Sequence, residues 1–145
     1  MSNDIDVYGG SATDAAIEKL AAGRATVFST IQGDDFSTKL AVLNATTASE
    51  PIAENLNKPI QLVNVVVQSI DMADEQTGEV SAVPRTILVD KDGKAYHAIS
   101  SGIFKAVENI IGILGQPHTW PAPVAVKAIR EGSGTRQYFT LVPAK

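Results

Sequence analysis

The stretch PIQLVNVVVQSIDM, residues 59–72, decides how the rest of the chain is read. It is rich in valine and isoleucine, whose branched side chains suit a pleated strand. It does not alternate cleanly. Ile60, Leu62 and Val66 fall on one face with Asn64 and Gln68, while Val63, Val65 and Val67 fall on the other with Gln61 and Ser69. Successive side chains of a strand point to opposite faces. A strand that is apolar on both faces in its middle is therefore covered on both sides, or bends so that its halves serve different layers.

Downstream, ADEQTGEV (73–80) is an acidic loop and SAVPRTILVD (81–90) a second strand, with Pro84 near its start where a missing N–H does least harm. Lys91-Asp92-Gly93 is a tight turn, because Asp-Gly supplies the positive φ angles that short hairpins need. KAYHAIS (94–100) is a third strand. A helix follows, capped by Ser100 or Ser101. Ile103, Phe104, Val107, Ile110, Ile111 and Leu114 form one apolar stripe on it, Gly115 is placed to end it, and Pro117 forbids its continuation. After HTWPAP come VAVKAIRE (124–131) and RQYFTLVP (136–143), two more strands joined through Gly132-Ser133-Gly134.

From residue 59 onward the order is strand, strand, strand, helix, strand, strand. That is the order of an OB-fold, a five-stranded Greek-key barrel with its helix between the third and fourth strands. A plain α+β sheet with one covering helix gives the same string. The expected class is mainly β: an OB barrel over 59–145, preceded by an extension over 13–58 and a loose start over 1–12, all within a single domain, 1–145. In the extension, TDAAIEKLAAG (13–23) reads as a helix, and 24–32 and 36–45 as two strands of a hairpin around Gly33-Asp34-Asp35. ASEPIAENLNKP (48–59) reads as a connector with one helical turn after Pro51.

Composition removes several functions. With no cysteine there is no disulfide framework and no thiolate chemistry. The acidic, polar first residues lack the basic and apolar regions of a secretory signal, and no apolar run is long enough for a bilayer, so a cytoplasmic location without membrane association is expected. The two histidines, His97 and His118, offer no metal-ligand spacing. HAISSGI is not a G-x-S-x-G elbow. DKDGK opens like a calcium loop, but Lys94 and Ser101 occupy positions that need oxygen ligands. REGSGTR lacks the ending and the helix of a phosphate loop. The expectation is a protein that is not an enzyme and carries no cofactor and no metal.

Charge is more informative. The net is −4, but residues 1–90 carry five Lys/Arg against thirteen Asp/Glu, a net of −8, and residues 91–145 carry seven against three, a net of +4. Such an asymmetry can place a basic face on an acidic protein. Binding single-stranded nucleic acid requires a cationic track for the backbone and aromatic faces for bases. The basic half supplies both. Lys94 and Tyr96 share a strand face, as do Arg136 and Tyr138, while Lys127 shares its face with Ile129, and Trp120 lies in a loop. Tyrosines also cover barrel edges with the hydroxyl in water, and a tryptophan here could plug the barrel below its helix.

QTGEVSAVPRTILVDKDGKAYHAISSGIFKAVENIIGILGQPHTWPAPVAVKAI (76–129) and TRQYFTLVP (135–143) resemble the OB-fold single-stranded DNA-binding proteins of tailed bacteriophages. The resemblance spans about residues 50–142. It implies a non-catalytic protein that coats exposed strands with little sequence preference during phage DNA replication or recombination, in the host cytoplasm. Arg85, Tyr96, Trp120 and Tyr138 stand at recurring positions of the pattern and, with Lys94, Lys127 and Arg136, form the expected DNA-binding set. Single-stranded DNA is the expected partner; replication or recombination proteins and a second copy of the chain are further partners the reading admits. The chain ends TLVPAK, unlike bacterial single-strand binders with acidic tails. A second reading uses the same barrel as the protein-binding surface of a virion or assembly component.

Overall fold

The computed structural model describes residues 28–144. In chain order they form β1 (Phe28–Ser29), α1 (Phe36–Thr47), β2 (Glu50–Pro51), a 3-10 turn (Ile52–Glu54), β3 (Ile60–Ala73), β4 (Val80–Asp90), β5 (Ala95–Ala98), α2 (Ser101–Leu114), a second 3-10 turn (Pro117–Thr119), β6 (Val124–Glu131) and β7 (Tyr138–Pro143). The expected helix over 13–23 lies outside the described residues.

The architecture is mainly β, a curled OB-like sheet. Its strands run in the order β2-β5-β4-β3-β6-β7, with β1 also paired to β3. The five expected core strands, β3 to β7, occur in the expected sequence around α2. β1 and β2, two residues each, bring the sheet to seven strands among the described residues, so the count is not the five of a minimal barrel.

The long strand explains its own broken alternation. Its pairing with β4 runs Leu62↔Asp90 and then Asn64↔Val89, so Val63 is the extra residue of a bulge. One inserted residue flips every later side chain to the opposite face. Before it Ile60 and Leu62 enter the main core; after it Val65 and Val67 do, and Val66 turns outward. The first part pairs with β6 through Ile60↔Val126, and the later part with β1 through Phe28↔Val67. Thr30 secures the bend. Its Oγ1 accepts from Val65 N at 2.9 Å, and its own N–H donates to the Val65 carbonyl at 3.0 Å.

Two cores result. Inside the curl, Leu62, Val65, Leu88, Val126 and Leu141 pack against Ile103, Phe104 and Val107 of α2. Outside it, Val66, Ile87, Val89 and Ala95 are covered by Ala45 and Val42 of α1. The helix α2 ends as its sequence indicates: Ser100 Oγ accepts from Ile103 N at 3.2 Å, and Gly115 takes φ 87° at the C-cap.

Residues 36–45 correct the sequence reading, which made them the second strand of a hairpin. They are helical. The Asp35 carboxylate accepts from Thr38 N at 2.9 Å and caps α1, so Gly33-Asp34-Asp35 leads into a helix instead of turning between strands. Phe, Thr and Val favour strands, and that local preference misled. Tertiary cover decides the outcome: Val42 and Ala45, three apart, lie on the outer face of the sheet. Among the described residues the first expected strand, 24–32, shrinks to Phe28–Ser29.

The strands β5 and β7 do not pair. The free edge of β5 takes β2 in parallel instead, through Glu50↔Tyr96 and Pro51↔His97. The start of α2 bridges the gap to β7 so closely that a Cβ at Gly102 would overlap the Phe139 carbonyl oxygen.

Candidate nucleic-acid interface

An OB barrel usually presents the outer face of its second and third strands, here β4 and β5, to nucleic acid. In this chain much of that face is covered. Ile87, Val89 and Ala95 lie beneath α1, and polar groups beside them tie it down. Arg85 on β4 donates from Nη1 to the Thr46 carbonyl at 3.1 Å and to Gln68 Oε1 at 2.5 Å, and from Nη2 to Ser49 Oγ at 3.0 Å. Ser49 Oγ in turn lies 2.7 Å from His97 Nδ1 on β5. Burial pushes the Arg85 guanidinium down, and burial followed by the Arg85 charge pushes His97 down. In the sequence His97 stands only as a histidine without metal-ligand spacing; Ser49 and Arg85 reach it from other segments, so only the fold could assemble the cluster.

Lys94 and Tyr96 come together as expected, with Lys94 Nζ 5.6 Å from the ring centroid. Neither is free. Lys94 pairs with Glu50 Oε2 at 3.3 Å, and that hydrogen bond, helped by Tyr96, raises its pKa. Tyr96 is 8% exposed and belongs to the main core, where burial raises its phenol. Trp120 is half-buried against the same core and donates its indole N–H to the Gly115 carbonyl at 3.0 Å, below the helix.

The β6–β7 hairpin is different. Tyr138 is 52% exposed and Arg136 is exposed. Across the strands Glu131 opposes Tyr138, Ile129 opposes Thr140 and Lys127 opposes Val142, so Lys127 and Tyr138 share the outer face. The inner face carries Val126, Ala128 and Leu141 in the core and ends in Arg130, exposed, over the ring of Phe139, with Cζ 5.3 Å from the centroid. Arg130 and Phe139 were not singled out as a pair in the sequence. Their cross-strand register, Arg130↔Phe139, is what joins them. The acidic loop, from Asp74 to Glu79, lies at the far tip of the β3–β4 ribbon, closed by Asp74 accepting from Gln76 N and Thr77 N.

Among the described residues no group of three or more His, Asp or Glu could hold a metal, and no helix is long and apolar enough to cross a membrane. A small curled OB-like sheet with an exposed tyrosine and cations on one hairpin is an arrangement suited to binding single-stranded nucleic acid. Comparison with protein families then matches residues 21–142 to the phage single-stranded DNA-binding proteins, and the chain belongs to that family. No curated protein and no solved structure matched the chain.

Proposed function

We propose that this protein binds single-stranded DNA without catalysis and with little sequence preference, in the host cytoplasm, protecting strands exposed in phage DNA replication or recombination. The β6–β7 hairpin is the principal contact. Arg130, Arg136 and Lys127 neutralise phosphates, and Tyr138 stacks with a base. The observation that carries this placement is the half-exposed Tyr138 on a hairpin that also carries Lys127, Arg130 and Arg136, none of them in an ion pair among the described residues, when Tyr96 is buried and Lys94 is paired. Arg85, Tyr96 and Trp120 act by building the barrel and fixing α1.

The test is titration with oligo-dT at low and moderate salt, with duplex DNA as control. The expected result is tight binding to the single strand that weakens steeply with salt, because bound cations are released from the phosphates. Tyr138→Ala and Arg136→Ala should each weaken binding while the fold stays intact. Equal affinity for duplex and single strand, or no effect of either substitution, would sink the placement.

A further inference from the structure

The seam between β5 and β7 holds a cleft of about 340 Å³ that the hairpin surface does not account for. Its walls come from three places: Pro51 of β2 with Ile52 and Ala53 of the 3-10 turn after it, His97 through Ser100 at the end of β5, and Phe139 on β7. The lining is mostly apolar, and Ile99 is 43% exposed. Two polar groups stand in it. Ser100 Oγ accepts from Ile103 N, which leaves its hydroxyl hydrogen to donate. At His97 the Nδ1 atom is taken by Ser49. Arg85 can only donate, so it donates to Ser49 Oγ, and the Ser49 hydroxyl hydrogen is assigned to His97 Nδ1. With that tautomer the ring proton sits on Nε2, a second donor; with the opposite one Nε2 accepts instead. Arg130, stacked on Phe139, supplies a cation beside that aromatic wall.

We propose that this cleft takes one unstacked nucleobase of the bound strand, held between Ile99, Pro51 and Phe139, and hydrogen-bonded through a carbonyl by Ser100 and His97. An aromatic wall, aliphatic faces, two donors and an adjacent guanidinium are what a flat keto base with its phosphate requires. The inference rests on the single-strand reading above and deepens it, adding a pocket on the opposite side of β7 from Tyr138.

The test uses the whole chain and oligo-dT. Methyl and histidine-ring NMR signals of Ile99 and His97 should shift on saturation with oligo-dT. Ala53→Trp, which fills the cleft from its exposed 3-10 wall, should lower affinity by about tenfold, the loss of about one stacked base, without changing the salt dependence, since no phosphate contact is removed. Binding that leaves the Ile99 and His97 signals unmoved, or a folded Ala53→Trp protein of wild-type affinity, would overturn the cleft alone. No binding of oligo-dT by the wild-type chain would overturn both readings. If Ala53→Trp does not fold, the wild-type shifts decide.

Discussion

Arg130 and Phe139 face each other across the β6–β7 ladder, with the guanidinium carbon 5.3 Å from the ring centroid. The pair sits where the inner face of the hairpin leaves the core and reaches solvent. A cation over an aromatic face at an exposed site contributes about 0.5–1 kcal/mol, too little to hold a fold. It does preorganise a charge beside a flat apolar surface.

Replacing Arg130 by alanine should therefore act on binding more than on folding. The slope of log affinity against log salt for oligo-dT should become shallower by about 0.7, the value for one phosphate contact on a single strand. Thermal unfolding should change little. The measurement is a salt series by fluorescence titration, and an unchanged slope would remove Arg130 from the phosphate track.

Arg85 should behave in the opposite way. Its three hydrogen bonds join Thr46, Ser49 and Gln68, and so hold the C-terminal end of α1 to the sheet. Arg85→Ala should cost about 1–3 kcal/mol in denaturant unfolding, and Arg85→Lys should not restore it, since an ammonium lacks the planar fork. The salt slope of DNA binding should stay at its wild-type value.

His97 gives the fold a pH dependence. Its pKa is held below the ordinary 6.5, by burial first and the Arg85 charge second, against a weaker opposing pull from Ser49 and Glu54. The unfolded chain then takes up a proton before the folded one does. The contribution to stability is complete above 6.5 and is lost as pH falls through the folded pKa. Melting temperatures followed from about pH 8 to about pH 5 should drop more steeply for the wild type than for His97→Gln. Parallel curves would show that another group is responsible.

Thr86 is fully buried on β4, and its hydroxyl has no hydrogen-bond partner among the described residues. Valine has the same branched shape without the stranded polar atom, so Thr86→Val should leave stability unchanged or raise it by about 1 kcal/mol. Chemical denaturation reads this directly. A loss of similar size would mean that the hydroxyl is satisfied after all.

The resemblance to a phage single-strand binder rested on short motifs around Arg85, Tyr96, Trp120 and Tyr138, and the family match bears it out. The local roles of those residues were less legible. Alternation along a strand tells which side chains share a face, and it correctly joined Lys94 to Tyr96. It cannot tell which face the curl encloses, so Tyr96 stood between a base platform and a barrel-edge tyrosine, and the fold places its ring in the core.

The sequence by itself determined the order of elements from residue 59 onward, the capped helix α2, and the need for cover on both faces of residues 59–72. Periodicity and turn chemistry are local, and a chain carries them wherever it folds. Tertiary structure decided that Phe36–Thr47 is a helix, because burying Val42 and Ala45 on the sheet outweighs a mild strand preference. It also decided that Val63 is the bulge, that Arg85 is a clamp, and that Arg130 meets Phe139. Each of these depends on which distant segment arrives opposite, and register between strands is set by global packing, not by either strand alone.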